Sequence, residues 1–380
     1  MSPDDELSSP ACREMTLFLC GDVMTGRGID QILPHPSNPR LYEPYARSAA
    51  AYVELAEERN GPIPRPREFA YIWGDAAGEW ARVKPDARIV NLETAVTTSE
   101  DAAPGKGIHY RMHPANVPCL EAAAIDCCVL ANNHVLDWGR GGLAETLASL
   151  HKADLETAGA GRDDKEAARP ATIEVPGKGR VIVFAWGMAS SGVPGEWAAS
   201  RSGAGVNFLP DLELQRVETI AAEVRSLKQP GDIVVASIHW GANWGYAVSA
   251  DERNFARALI GTGGVDVVHG HSSHHPKAIE VYQQRPILYG CGDFLNDYEG
   301  ISGHEEYRSS LTLMYFVTLD PSTGTLSRFA MSPMETRRFR LIRAAKDDAR
   351  WLADLLTREG RQFGTRVALA SDHRLALEWQ

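Results

Sequence analysis

Two observations predict an α/β layered fold for this sequence. Short apolar runs alternate with helical patterns through most of its 380 residues, an order that lays helices on a largely parallel sheet. Several runs also end in carboxylate, amide or imidazole side chains, where open α/β sheets place their sites. The runs are Leu17 to Cys20, Ala87 to Val90, Cys127 to Leu130, Val181 to Ala185, Ile233 to Ile238, Val265 to Val268 and Ile287 to Tyr289. Between them, Leu143, Leu147 and Leu150 share one helical face, and Val217, Ile220, Ala221, Val224 and Leu227 share another. Ser249 followed by Glu252 makes a capping box that opens a further helix, ending near Gly261 and Gly263.

Three regions break the alternation. Residues 35–67 carry prolines at both ends around an Ala/Glu-rich helical piece and read as an insertion over one end of the sheet, a lid or substrate wall. Ala189 to Pro210 reads as a long loop around Trp197. After a strand from Leu311 to Val317 come Arg337, Arg338, Arg340 and Arg343, then a helix with Trp351, Leu352, Leu355 and Leu356 on one side. The expected organisation is a flexible tail over 1–14, a metal-site domain over 15–335, and a helical extension over 336–380 packed on that domain.

A formal net charge of -11 gives no basic field for a phosphate backbone, which argues against nucleic acid as a partner and leaves room only for a local cationic pocket. The six cysteines lack C-x-x-C spacing, and several sit in apolar runs, the pattern of reduced core thiols in a cytosolic protein. Met1 to Glu14 has neither the basic nor the apolar region of a signal peptide, and no segment approaches a membrane span. The expected location is cytoplasmic, without membrane contact.

Asp22 follows a strand and a glycine, where a carboxylate can hold a hard cation. Glu93 offers a second carboxylate after Asn91. In Asn132-Asn133-His134-x-x-Asp137 an amide oxygen can ligate a metal, while His134, oriented by Asp137, moves a proton near neutral pH. His239 ends the strongest apolar run, and His269, His271, His274 and His275 crowd the end of the next. Such clustering signals metal or acid–base work; His271 and His274 are expected at the centre, His269 within the strand and His275 outside. Asp293 closes the last parallel run and could orient a histidine. Arg27, Arg111 and Lys277 are candidates to hold a substrate carboxylate. Trp138, Trp240 and Trp244 flank the motifs as core residues or as an aromatic wall.

From about Met15 to Asn296 the ordered motifs resemble the CapA family, the poly-gamma-glutamate capsule-synthesis group within the calcineurin-like metallophosphoesterase fold. They are Gly21-Asp22-Val23-Met24-x-Gly26-Arg27, Asn91-Leu92-Glu93-Thr94, Ala131-Asn132-Asn133-His134-x-x-Asp137-x-Gly139, Gly270-His271-x-x-His274, and the Gly-Asp-Phe of Gly292 to Phe294. The resemblance implies a four-layer α/β/β/α calcineurin-like sandwich. It implies Asp22, Glu93, Asn133, His239, His271 and His274 as metal ligands and His134 as the proton-donating histidine. Met24 stands where ordinary phosphoesterases carry a histidine, and Asn91-Leu92-Glu93 replaces their bridging Gly-Asp. A thioether does not replace imidazole at a hard-metal site, so one divalent ion is expected: calcium, manganese or magnesium, with zinc or iron as alternatives.

A single site ringed by His and carboxylate pairs suits proton transfer at a Cα, with catalytic groups Asp22, His134, Asp137, His271 and Asp293. The chain also resembles the soluble lasso-peptide epimerases of this family. The expected function is therefore a metal-dependent epimerase acting on the C-terminal residue of a ribosomally made precursor peptide. The alternatives are an amide or isopeptide hydrolase of poly-gamma-glutamate type, a phosphoesterase, and a peptide-binding protein without turnover.

Overall fold

The structure is a computed structural model that describes residues 14–380. The tail expected over 1–14 thus lies, Glu14 apart, outside the described residues, as does Cys12. Two sheets, not one, carry the apolar runs. The larger has ten strands, in the order Thr365–Leu369, Leu375–Trp379, Thr325–Thr336, Leu311–Asp320, Met15–Val23, Ala87–Leu92, Cys127–Val129 and Glu156–Ala158. Asp293–Leu295 and Leu341–Arg343 pair onto Met15–Val23 and Thr325–Thr336. The smaller sheet runs Ile279–Tyr282, Arg285–Leu288, Val267–His271, Ile233–His239, Gly179–Gly187 and Ala171–Val175. Each has a parallel centre, so the strand ends bearing motifs emerge on one side, and antiparallel strands complete it.

Alternation along the strands sorts the layers. Met15, Leu17 and Leu19 face the other sheet and share a core with Val181, Val183, Ile233, Val235 and Val267. Phe18, Cys20 and Val23 point the opposite way, against Tyr52, Val53 and Trp80 and the Leu143, Leu147 and Leu150 face of helix Gly139–Lys152. On the far side of the smaller sheet, Val234, Ala236 and Ile238 meet helices Leu214–Leu227 and Ala250–Gly261. The result is α/β/β/α, as the resemblance implies. Each fully buried Val, Leu or Phe contributes ~1.5–3 kcal/mol, so the inter-sheet core dominates what keeps the two halves in register.

The helix after Ser249 forms as its capping box predicts: Glu252 N donates to Ser249 Oγ at 3.1 Å and Ser249 N to Glu252 Oε2 at 2.8 Å. Leu227 departs from its expected face and is 43% exposed, because its helix ends there. The expected helical extension over 336–380 is corrected. Helix Lys346–Gly360 is present, but Leu341–Arg343, Thr365–Leu369 and Leu375–Trp379 are strands of the larger sheet, with apolar residues Leu375 and Leu377 in the inter-sheet core. The five described cysteines are free and buried, and burial raises the pKa of each thiol. Among the described residues no helix is long and apolar enough to cross a membrane.

Candidate metal centre

Gly21 lets the site assemble. A Cβ there would lie 1.5 Å from the Gly292 carbonyl oxygen, so only glycine allows the two segments to meet. Asp22 N donates to Gly292 O at 3.1 Å, and Asp22 then stands in register with both Asp293 and Asn91. In the smaller sheet His239 and His271 occupy matching positions on adjacent parallel strands. The ends of the two sheets face each other across Asp22.

Asp22, His239 and His271 present ligand atoms within 4.8 Å of one another, and Asp22, His274 and Asp293 do the same. Asp22 is common to both groups. Met24 supplies no ligand atom to either group, and Asp293 adds a carboxylate on the His274 side. Three features fit a cation. Asp22 Oδ2 is buried without a hydrogen-bond partner. The Nδ1 atoms of His239 and His271 lie 2.7 Å apart, so two lone pairs must share a proton or a cation. The three carboxyls Asp22, Glu93 and Asp293 are buried together. Carboxylate oxygens suit calcium, magnesium or manganese, and the imidazoles suit zinc or iron.

Burial moves the site toward neutrality. It pushes Asp22 up to about 7, helped by Asp293, while Asn91 pulls the other way. Glu93 rises well above the carboxylate range through burial, Asp22 and Asp293. His239 and His271 fall well below the usual imidazole range, again through burial first. His274 moves the other way: burial lowers it, but Asp293, 2.9 Å from Nδ1, and Asp22 outweigh that and raise it.

The remaining expected ligands sit beside these groups. Glu93 Oε1 is 3.9 Å from His239 Nε2 and 3.8 Å from His134 Nε2. His239 Nε2 contacts Asn133 Oδ1 at 3.1 Å. His134 Nδ1 contacts Asp137 Oδ2 at 2.7 Å, and that oxygen also accepts from Tyr110 N at 2.6 Å. The carboxylate therefore fixes the tautomer and aims Nε2 toward Glu93. His134 is pushed down to about 4, by burial first and with Lys106 adding, against Asp137. It is a neutral base at pH 7, where the sequence suggested a group titrating near neutrality.

Several other expectations change. Arg27 is occupied by Asp297 at 2.5 Å, Glu43 at 3.0 Å and Tyr52 at 3.1 Å, and Arg111 by Ser99 O, Glu100 and Asn38 O. Neither is free to hold a substrate carboxylate. Lys277 is buried, and its Nζ donates to Ala247 O at 3.4 Å. His269 Nε2 donates to Cys20 O at 2.7 Å and Nδ1 accepts from the Ser237 hydroxyl at 3.0 Å within the core. His275 lies outside the metal groups but is buried, stacked on Tyr307. Trp138 and Trp240 are core residues, whereas Trp244 packs on His274 with ring centroids 5.2 Å apart. The insertion contributes helix Ala50–Asn60, whose Tyr52 packs on Arg27.

Four supporting residues escaped the sequence reading. Asn91 Nδ2 donates to Asp22 Oδ1 at 2.7 Å and Glu93 Oε2 at 3.1 Å, and its oxygen accepts from Asn132 at 3.0 Å. Both asparagines stood inside quoted motifs, which was the available signal. Ser237 bridges His269 and His271 at 3.0 and 2.9 Å; it was hidden as the polar residue of an apolar run. Lys106 contacts His134 Nδ1 at 3.1 Å and donates to Asp137 and to Asn133 O. Its loop position carried no signal.

Residues 16–298 match the family described as bacterial capsule synthesis protein PGA_cap. The chain is 47% identical over 362 residues, 95% of each chain, to a probable polyglutamine synthesis accessory protein of Mycobacterium tuberculosis. It is also similar to the capsule biosynthesis protein CapA of Bacillus anthracis, 25% identical over 75% of this chain and 60% of the relative. The PGA biosynthesis protein CapA of Bacillus subtilis is 28% identical over 83% and 70%. The family match spans both metal groups and the His134–Asp137 pair, and the chain belongs to the PGA_cap family of bacterial capsule synthesis proteins.

Proposed function

We propose that the chain is a metal-dependent hydrolase of an amide or isopeptide bond in a polymer of glutamate type. The relatives' names, polyglutamine synthesis and capsule biosynthesis, support the substrate class. The observation that carries the chemistry is Asp22 shared between two donor groups, one buried throughout and one with His274 half-buried, with the His134–Asp137 pair beside them. A divalent ion held by Asp22 with His239 and His271, or with His274 and Asp293, would supply Lewis-acid polarisation of the amide carbonyl and a more acidic water. His134 Nε2, with Nδ1–H committed to Asp137, takes the proton from the attacking water and returns it to the leaving amine as the C–O bond forms and the C–N bond breaks. Lys106 and Asp137 hold that imidazole in place.

The epimerase expectation stands second. Two His–carboxylate pairs, His134–Asp137 and His274–Asp293, favour it, since inversion at a Cα needs one group to remove a proton and one to return it. The relatives' names lend it no support. One experiment separates the readings: metal-loaded protein is incubated in deuterated water with poly-γ-glutamate or with a candidate precursor peptide, and mass is followed. Fragments are expected from the polymer, and His134→Gln lowers their rate by ~10²–10⁴-fold with metal content unchanged. A one-unit gain without cleavage supports the epimerase instead. Release of phosphate from a generic ester with both peptides intact overturns both.

A further inference from the structure

The turn Arg337–Arg340 lies outside the metal groups and is held in an unfavourable shape. Its central residues, Arg338 and Phe339, have φ of 55° and 54°, left-handed values that glycine or asparagine ordinarily supply in a two-residue hairpin. Arg337 and Arg340 pair across it through backbone bonds of 2.8 and 3.2 Å. The Glu299 carboxylate offsets the strain by accepting from Arg338 N and Phe339 N at 2.6 Å each, and Phe339 is buried. Strain of this kind persists where the surroundings enforce it, often at binding sites.

What the turn presents is positive charge. Arg337 and Arg338 are exposed. Arg67 and Arg340 lie over the Tyr71 ring at 4.5 and 5.9 Å, and the Tyr71 hydroxyl donates to Arg338 O at 3.0 Å. The Nε of both Arg67 and Arg340 is buried without an acceptor. Among the described residues only Arg340 of these four has an ion pair, with Asp75 at 3.7 Å. The other acids here, Glu299 and Glu335, have pKa values raised by burial. On a chain of net charge -11, such a group is selective for anions with planar, carboxylate-like geometry.

One segment ties the turn to the metal centre. Asp293 faces His274, Asn296 donates to Asp293 at 2.8 Å, Asp297 pairs with Arg27, Tyr298 lies edge-on to His274 at 5.5 Å, and Glu299 holds the turn. Asp293 to Glu299 spans at most ~22 Å, within reach of a short extended polymer. We infer that the arginine turn Arg337–Arg340, with Arg67, is a second binding surface that grips carboxylates of an anionic glutamate polymer engaged at the metal centre. This rests on the polymer-hydrolase reading above.

The test compares wild type with Arg337→Gln/Arg338→Gln, and separately with Arg67→Gln, on γ-glutamate oligomers of three and of about twenty residues. The variants are expected to melt as wild type does and to raise KM for the long oligomer roughly tenfold, with kcat and the trimer's KM unchanged and the gap closing at high salt. An unchanged KM for the long oligomer overturns the inference. If no glutamate oligomer is cleaved, the hydrolase reading fails, and anisotropy of fluorescein-labelled poly-γ-glutamate still decides the surface. Binding lost in the variants supports it; binding unchanged in the variants, or absent in wild type, overturns it.

Discussion

The ten-stranded sheet brings mostly oxygen to the site, through Asp22, Asn91, Glu93 and Asp293. The six-stranded sheet brings nitrogen, through His239 and His271, with His274 just beyond the same strand. The same burial acts on the two sides in opposite directions, raising Asp22 and Glu93 and lowering His239 and His271. Each half alone is driven toward the uncharged state; a cation between them reverses the effect on the oxygens and uses the lone pairs of the nitrogens. Neither sheet by itself contains the centre, so packing and chemistry are coupled through the inter-sheet core.

The sharpest way to break this contrast is Asp22→Asn, which removes the oxygen common to both groups. Bound metal, measured by elemental analysis, should fall to background, and turnover should fall by more than the ~10–100-fold cost of losing a supporting residue. Metal content equal to wild type would show that the nitrogen side suffices. On that nitrogen side, Ser237→Ala takes away the partner of His271 Nε2. Metal affinity should weaken ~10–100-fold, as read by competition with a chromogenic chelator, while the far-UV spectrum is retained.

The smallest effect is a pH dependence that reads the oxygen side directly. Asp22 must lose its proton to bind a cation, and its pKa is about 7. Affinity for manganese should therefore fall about tenfold per unit below pH 7. In the metal-free protein, a carboxyl raised above its unfolded value contributes stability that is complete below about pH 3.9 and lost as pH rises through about 7. The melting-temperature gap between loaded and metal-free protein should thus widen from pH 6 to pH 8. A constant gap would show that Asp22 is not a ligand.

Much of the layering was legible because it is local. The alternation in Leu17 to Cys20 and Ile233 to Ile238 and the Ser249–Glu252 capping box follow from strand and helix periods and from cap chemistry over a few residues. The C-terminal strands were missed because Thr365–Leu369 and Leu375–Trp379 are short, half-exposed and acquire their identity by pairing with Thr325–Thr336. Arg27 looked free because its partners Glu43 and Asp297 lie 16 and 270 residues away.

The sequence by itself determined which chemistry stands at which strand end: Asp22, Glu93, His134, His239 and His271 each close or follow an apolar run. Only the tertiary structure decided how those ends combine. That Asp22 serves two groups, that Asp293 joins the one with His274, and that Ser237, Asn91 and Lys106 support them depend on strand register and on the packing of one sheet against the other. The physical reason is distance along the chain. Residues within one strand or helix are placed by backbone geometry, whereas a ligand shared across two sheets exists only after long-range burial has brought them together.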